Sequence, residues 1–259
     1  MQSIGGKITI RVAEKDQEFD PTQNLPAKPF QVVGIDMNYD QRVSDAGLEN
    51  LKGLTNLKDL SLTSVRVSDA GLEHLKGLTK LGFLALDINA AVSDAGLAHL
   101  KGLINLTYLY LSLTRVSDAG VVHLKGLTNL TALNLTGTQV SDAGLGHLKG
   151  LTNFTQLWLN GTQVSDAGLE HLKDMTNLTE LYLSRTSVTD AGLMHLESLT
   201  NLTLLALNET RTSDAGLEHL KGLSSLQQLY LTSTKVTATG VAQLQKALPN
   251  CKITWDSAR

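Results

Sequence analysis

Cysteine is almost missing from this 259-residue sequence. The single residue, Cys251, excludes an intrachain disulfide framework and any multi-cysteine zinc or iron–sulfur site. Proline is nearly as scarce: of four, three (Pro21, Pro26 and Pro29) fall within residues 1–31. Neither sign of charge dominates. With 22 Lys+Arg against 25 Asp+Glu, the net charge of -3 argues against a nucleic-acid binder that relies on phosphate neutralisation. No apolar run approaches the roughly 18 residues of a membrane span. The start, Met1 to Lys7, has no apolar run long enough for a signal peptide, so a cytoplasmic address is expected unless Met1 conceals an upstream signal. What is present is ordinary in amount: 42 % apolar and 18 % charged residues support a sizeable core and are too balanced for disorder.

The arrangement is not ordinary. A segment close to Val-Ser-Asp-Ala-Gly-Leu begins at Val43, Val67, Val92, Val116, Val140, Val164, Val188, Thr212 and Val236. Successive starts lie 24 residues apart, except for one step of 25 between Val67 and Val92. A fixed period of this length signals a solenoid, in which each unit buries its apolar face only against its neighbours. Within a unit, Leu130, Leu133, Leu135, Thr138 and Val140 follow the spacing L-x-x-L-x-L-x-x-(N/C)-x-L.

Each unit divides into two halves. The L-x-L core alternates with period two, which places its leucines on one side of a short strand and the intervening residue on the other. Ten cores are expected, from Ile35–Met37 and Leu60–Leu62 through Leu157–Leu159 to Ile253–Trp255. At ~4.8 Å per strand they form a parallel sheet with an arc of roughly 43 Å. The second half reads as a short helix. Ser141 is its N-cap, Asp142 puts negative charge in the first turn, and Val140 with Leu145 makes a hydrophobic staple. Gly150 occupies the expected C-cap. Gly144 and its eight counterparts disfavour helix by about 1 kcal/mol each, so tight packing between units is expected there. Thr114, Thr138, Thr162, Thr186, Thr210 and Thr234 stack at the bend, where their hydroxyls can satisfy loop backbone groups.

The run DAGLEHLKGLTNLxxLxLxxTxVSDAGL resembles the cysteine-containing subtype of leucine-rich repeat, found in F-box substrate readers and many bacterial proteins. The resemblance covers about residues 32 to 256. Thr stands where the subtype has Cys, and Leu-Thr-Asn replaces Cys-Pro before the strand. Ala247-Leu-Pro-Asn-Cys251-Lys-Ile is closer to the family form. The resemblance implies a protein-binding scaffold and no catalysis. The expected architecture is a right-handed α/β horseshoe, with the parallel sheet on the concave face and short helices on the convex face. Residues 1–31 form an N-terminal cap, 32–256 a solenoid of about nine to ten units, and 257–259 a tail. The Ile8–Val12 run reads as a strand or irregular cap over the first sheet edge. The last strand, near Trp255, has an edge that little covers, which allows weak end-to-end association or a further domain.

Three repeating residue types bear on chemistry. Seven histidines, from His74 to His219, share one repeat position, but helices ~8–10 Å apart separate them too widely for a metal held at ~2.1 Å, and a structural or exposed role is expected. Eight aspartates, Asp45 to Asp214, share the helix start, where near-equal surroundings suit capping rather than acid–base work. Asn-x-Thr sequons, as at Asn105 and Asn129, follow from the Leu-Thr-Asn turn itself. No catalytic triad signature, phosphate-binding glycine loop or H-E-x-x-H is present, and no metal or cofactor is expected.

The variable strand positions carry the functional signal. Of eleven aromatic residues, six fall on the open side of the sheet: Phe83, Tyr108, Tyr110, Trp158, Tyr182 and Tyr230. Leucine already fills the inward slots, so these rings are expected to face solvent, as interface hot spots do. Ile88 and Leu113 extend the apolar patch beside Tyr110. Asp36, Asp59, Asp87 and Glu180 face the same wall against Lys252, which favours a neutral or basic protein or peptide partner. The expected ligand-binding residues are therefore Phe83, Tyr108, Tyr110, Trp158, Glu180, Tyr182 and Tyr230, on a non-enzymatic module that binds neither nucleic acid nor membrane. Two other readings remain open: a self-assembling structural unit, and the recognition segment of a larger enzyme such as a ligase or kinase.

Overall fold

The computed structural model describes residues 7–19 and 26–256; Pro21 and the tail 257–259 lie outside them. Twelve strands are present among the described residues. In chain order they are β1 (Lys7–Val12), β2 (Lys15–Phe19), β3 (Phe30–Asp36), β4 (Asp59–Ser61), β5 (Phe83–Ala85) and β6 (Tyr108–Tyr110). Then follow β7 (Ala132–Asn134), β8 (Gln156–Trp158), β9 (Glu180–Tyr182), β10 (Leu204–Ala206), β11 (Gln228–Tyr230) and β12 (Lys252–Thr254). They form one open sheet in which β3 to β12 lie in sequence order, each parallel to the next. β1 runs antiparallel beside β3, and β2 pairs antiparallel outside β1 as the edge.

The leucine period explains this register. Leu60, Leu84, Leu109, Leu133, Leu157, Leu181, Leu205 and Leu229 are direct cross-strand partners, and all are fully buried. Strand bounds fall one residue earlier than the L-x-L cores suggest. The second leucine still bonds to the next strand, as Leu135 N–H donates to the Trp158 carbonyl at 2.9 Å, so only the bound differs.

The helical halves are shorter than a full helix. Asp142–Leu148 is continuous α-helix, whereas most units have one α-turn followed by a 3-10 turn, such as Asp166–Leu169 then Glu170–Leu172. The expectation of a C-capping glycine at Gly150 is not met. Lys149 closes that helix in the right-handed region, Leu151 N–H donates to the Leu148 carbonyl at 2.8 Å, and Gly150 has no left-handed backbone. A 3-10 turn satisfies the last carbonyls without the left-handed residue that a glycine cap supplies.

Gly144 does mark close packing between units: a Cβ there would run into the carboxylate of Asp118, one unit earlier, and the Val140 side chain. The repeated aspartates act across units instead of on their own helix ends. Asp142 accepts from Ser165 N–H at 2.7 Å and from the Ser165 hydroxyl at 2.6 Å. The same pair of bonds runs from Asp45 to Ser68 through to Asp214 to Thr237, eight times in all. Each carboxylate thus fixes the start of the next helix, and the repeated glycine leaves room for it.

At the opposite bend the six threonine hydroxyls donate to the carbonyl three residues before, as Thr138 does to Leu135 at 2.7 Å. Asn89 fills this slot in the unit with the extra residue. Its amide reaches Leu62 O at 2.7 Å and Leu86 O at 2.9 Å, and its oxygen accepts from Val65 N–H at 3.0 Å. Cys251 is buried, and burial raises its thiol pKa to about 11.

Candidate functional site

The face of the sheet opposite the leucines holds every side chain expected to contact a partner. Phe83, Tyr110, Trp158, Glu180, Tyr182 and Tyr230 are half-buried there, and Tyr108 is exposed. Five of the six rings join into one chain. Phe83 meets Tyr108 at 6.2 Å and Tyr110 edge-on at 5.4 Å between ring centroids. Tyr110 meets Trp158 edge-on at 5.8 Å, and Trp158 stacks on Tyr182 at 5.6 Å with planes 14° apart. These are favoured aromatic geometries. Tyr230 has no ring partner among the described residues and donates its hydroxyl to Gln228 at 2.7 Å.

The contact between Tyr110 and Trp158 spans a strand. β6 and β8 are separated by β7 and so by ~9.6 Å. Their rings close that gap by leaning over Asn134, the residue of β7 between them, whose own side chain accepts from Thr136 N–H at 3.0 Å. The absence of a ring at Asn134 leaves the space in which Tyr110 and Trp158 meet.

Glu180 is the acidic pole of the wall. One of its oxygens accepts from Gln156 Nε2 and the other from the Tyr182 hydroxyl, both at 2.9 Å. Neither donor is a cation. Burial, reinforced by the bond to Glu180, raises the Tyr182 pKa to about 12. Burial also raises that of Tyr110. At the other end burial raises Asp59 while Lys58 opposes the rise, and Asp87 accepts from Ser112 N–H at 2.7 Å.

Beside the wall, where the chain leaves each strand, every unit turns through a left-handed residue. The slot holds Gly137 and Gly161 in two units, but Ile88 at φ 61° and Leu113 at φ 56° in two others. A β-branched residue there is an outlier, and such conformations cost about 1–3 kcal/mol. Both side chains are exposed all the same, Ile88 by 47 % and Leu113 by 54 %. They are neighbours in the ladder, since Ile88 N–H bonds to Ser112 O at 2.8 Å, and Leu113 extends over Gly137. The repeat contains the signal for this slot: glycine at two equivalent positions implies positive φ at all of them.

The other repeated residues gather no chemistry. His219 lies 2.6 Å from Glu197, His171 lies over Gly146, and no group of three His, Cys, Asp or Glu side chains among the described residues is placed to hold a metal. The turn asparagines donate to the preceding unit, as Asn105 does to Thr79 O at 2.7 Å and Asn129 to Ile104 O at 2.8 Å. With Thr107 and Thr131 they line a shallow groove of about 520 Å³ along the strand starts. No described helix is long and apolar enough to cross a membrane.

A row of parallel strands, each returned by a short helix and stacked without closure, defines an α/β solenoid with one face of its sheet free of helices. Comparison with known proteins places it further. A family model described as leucine-rich repeat matches residues 126–148 and 174–196. Internalin C2 of Listeria monocytogenes matches with a TM-score of 0.61 and 25 % identity over 87 % of this chain and 81 % of its own. An internalin of the same species, inlF, gives 0.60 and 21 % over 82 % and 70 %. The plant peptide hormone receptor RGFR1 in complex with RGF2 gives 0.55 and 18 % over 79 % of this chain and 33 % of that one. A search of curated protein sequences returns no match. The chain thus contains leucine-rich repeats and has the fold of a leucine-rich repeat solenoid.

Proposed function

We propose that this chain is a non-enzymatic binding module that holds a protein or peptide, neutral or basic in charge, against the aromatic wall of its sheet. The observation that carries the reading is the linked row from Phe83 to Tyr182, which stands on the solvent side of a sheet whose other side is already filled with leucine. Half-exposed tyrosine and tryptophan provide large contact area with few rotamers to freeze, which is why such residues dominate interfaces. RGFR1 is a solved neighbour held with a peptide; at 18 % identity it shares the fold, and the binding reading rests on the rings. The acidic groups on the wall set the expected sign of the partner.

Panning a random peptide library on the native chain, against a Tyr110→Ala/Trp158→Ala/Tyr182→Ala variant, tests this directly. Peptides should enrich on the native chain alone, with unchanged circular dichroism for the variant. For an enriched peptide, Trp158→Ala should weaken binding by at least ~2 kcal/mol. Equal enrichment on both chains would remove the wall from consideration.

A further inference from the structure

Tyr230 shares the wall with the other rings but stands apart from their chain, and the strand between it and Tyr182 is the place where the two differ from the pair at β6 and β8. In register, Tyr182, Ala206 and Tyr230 lie opposite one another on β9, β10 and β11, as do Glu180, Leu204 and Gln228 two residues earlier. Ala206 is buried and ends at its methyl group. Tyr110 and Trp158 are separated by the same two-strand span of ~9.6 Å, yet they lean over Asn134 until their centroids are 5.8 Å apart. Tyr182 and Tyr230 make no such contact. Each hydroxyl is held on its own strand, Tyr182 donating to Glu180 at 2.9 Å and Tyr230 to Gln228 at 2.7 Å. Trp158 also covers one face of Tyr182, stacking with planes 14° apart, so the opposite face looks across Ala206 toward Tyr230.

The gap has the width and chemistry for one flat cationic group. A planar group in contact with a ring on each side needs ring planes ~7 Å apart, which takes less tilting than Tyr110 and Trp158 already show. The floor, Ala206 with half-buried Leu204, is aliphatic and suits an alkyl stem. At the strand-start end stands Glu180. Each of its oxygens accepts one hydrogen bond, from Gln156 and from Tyr182, and a carboxylate oxygen has room for two. At the other end Arg185 and Glu209 pair with each other at 2.8 Å, and Lys252 lies three strands from Glu180, beyond Gln228. Among the described residues, Glu180 is therefore the charge beside the gap that no cation answers. Resting on the reading of the wall as a polypeptide site, we infer that the gap over β10 receives an arginine of the partner, with its guanidinium between the Tyr182 and Tyr230 rings and an N–H donated to Glu180. Arginine rather than lysine follows from shape: a guanidinium is planar, weakly hydrated and stacks on ring faces, whereas an ammonium is a compact and strongly hydrated charge. An aromatic side chain would fit the width but would shield Glu180 from water without a donor to replace it.

The test titrates the isotope-labelled chain with acetyl-Gly-Arg-Gly-amide and with its lysine, citrulline and phenylalanine counterparts, reading backbone amide shifts by nuclear magnetic resonance. The arginine peptide should shift the amides of Leu204, Leu205 and Ala206 and bind at least about fivefold more tightly than the other three. Tyr230→Leu lies outside the linked row from Phe83 to Tyr182 and should remove that preference with unchanged circular dichroism, while Tyr230→Phe, which keeps the ring, should retain it. Glu180→Gln should erase the difference between arginine and citrulline. Equal binding of the arginine and lysine peptides, shifts that avoid β10, or a preference that survives Tyr230→Leu overturns the inference. The wall is read separately with the library peptides. Peptides that require Trp158 yet bind Tyr230→Leu as well as the native chain leave the wall and overturn the arginine position; equal enrichment on the native chain and the Tyr110→Ala/Trp158→Ala/Tyr182→Ala variant overturns both.

Discussion

Gly47 and Gly144 occupy equivalent positions in the first and fifth units, yet an added methyl meets different surroundings. At Gly144 it collides with Asp118 and Val140; at Gly47 nothing lies within 4 Å, because no aspartate unit precedes it. Both sites are helical, so alanine is favoured locally by about 1 kcal/mol. Gly47→Ala should therefore stabilise the chain by roughly 0.5–1 kcal/mol, and Gly144→Ala should destabilise it by about 1–3 kcal/mol. Urea denaturation of the two variants checks both signs. Asp142→Ala removes both acceptors from Ser165 and leaves a half-buried N–H unmet, for a loss of about 1–3 kcal/mol in the same assay. The sequence alone indicated that the recurrent glycine serves packing, but not that its neighbour is a carboxylate from 26 residues earlier (Gly144 to Asp118).

Single strands and helical turns here are too short to be stable alone. Their positions were nevertheless legible, because an L-x-L core admits one orientation once one side must be buried. Helix ends were less so. Gly150 follows the last helical residues in the manner of a cap, but the chain leaves through a right-handed turn that any residue can adopt. On β9, the strand bearing Tyr182, alkaline titration gives a test of the wall. The Tyr182 pKa is raised from 10.0 to about 12 in the folded chain, so between those values unfolding releases a proton. Its contribution to stability is intact below pH 10 and is lost as pH rises through about 12. Difference absorbance at 295 nm should show one tyrosine ionising last, and Glu180→Gln should bring that step to lower pH. Unchanged titration would mean that Tyr182 and Glu180 do not share a proton.

Across the whole molecule, stability is a sum of units and the contacts between neighbours. Excising residues 116–139 removes one 24-residue unit and joins Arg115 to Val140 in the register every other junction has. The shortened chain should keep its circular dichroism, with a urea m-value lower by about one-tenth. Loss of cooperative unfolding would show that the units are not interchangeable. The deletion also makes β6 and β8 neighbours, removing Asn134 from beneath the Tyr110–Trp158 contact. At the sheet's first end, β2 presents Lys15, Asp16 and Glu18, charges that discourage pairing with another edge.

Repetition let the sequence by itself determine the solenoid, the leucine face and the face left for the aromatic rings, since period and side-chain direction are local properties of the chain. Tertiary structure alone decided which distant side chains meet: that Tyr110 and Trp158 lean together over Asn134, that each aspartate grips the next unit, and that Ile88 and Leu113 stand in a left-handed turn facing solvent. Such contacts depend on how far neighbouring units are spaced and how each side chain leans, and these emerge only when the stack is built.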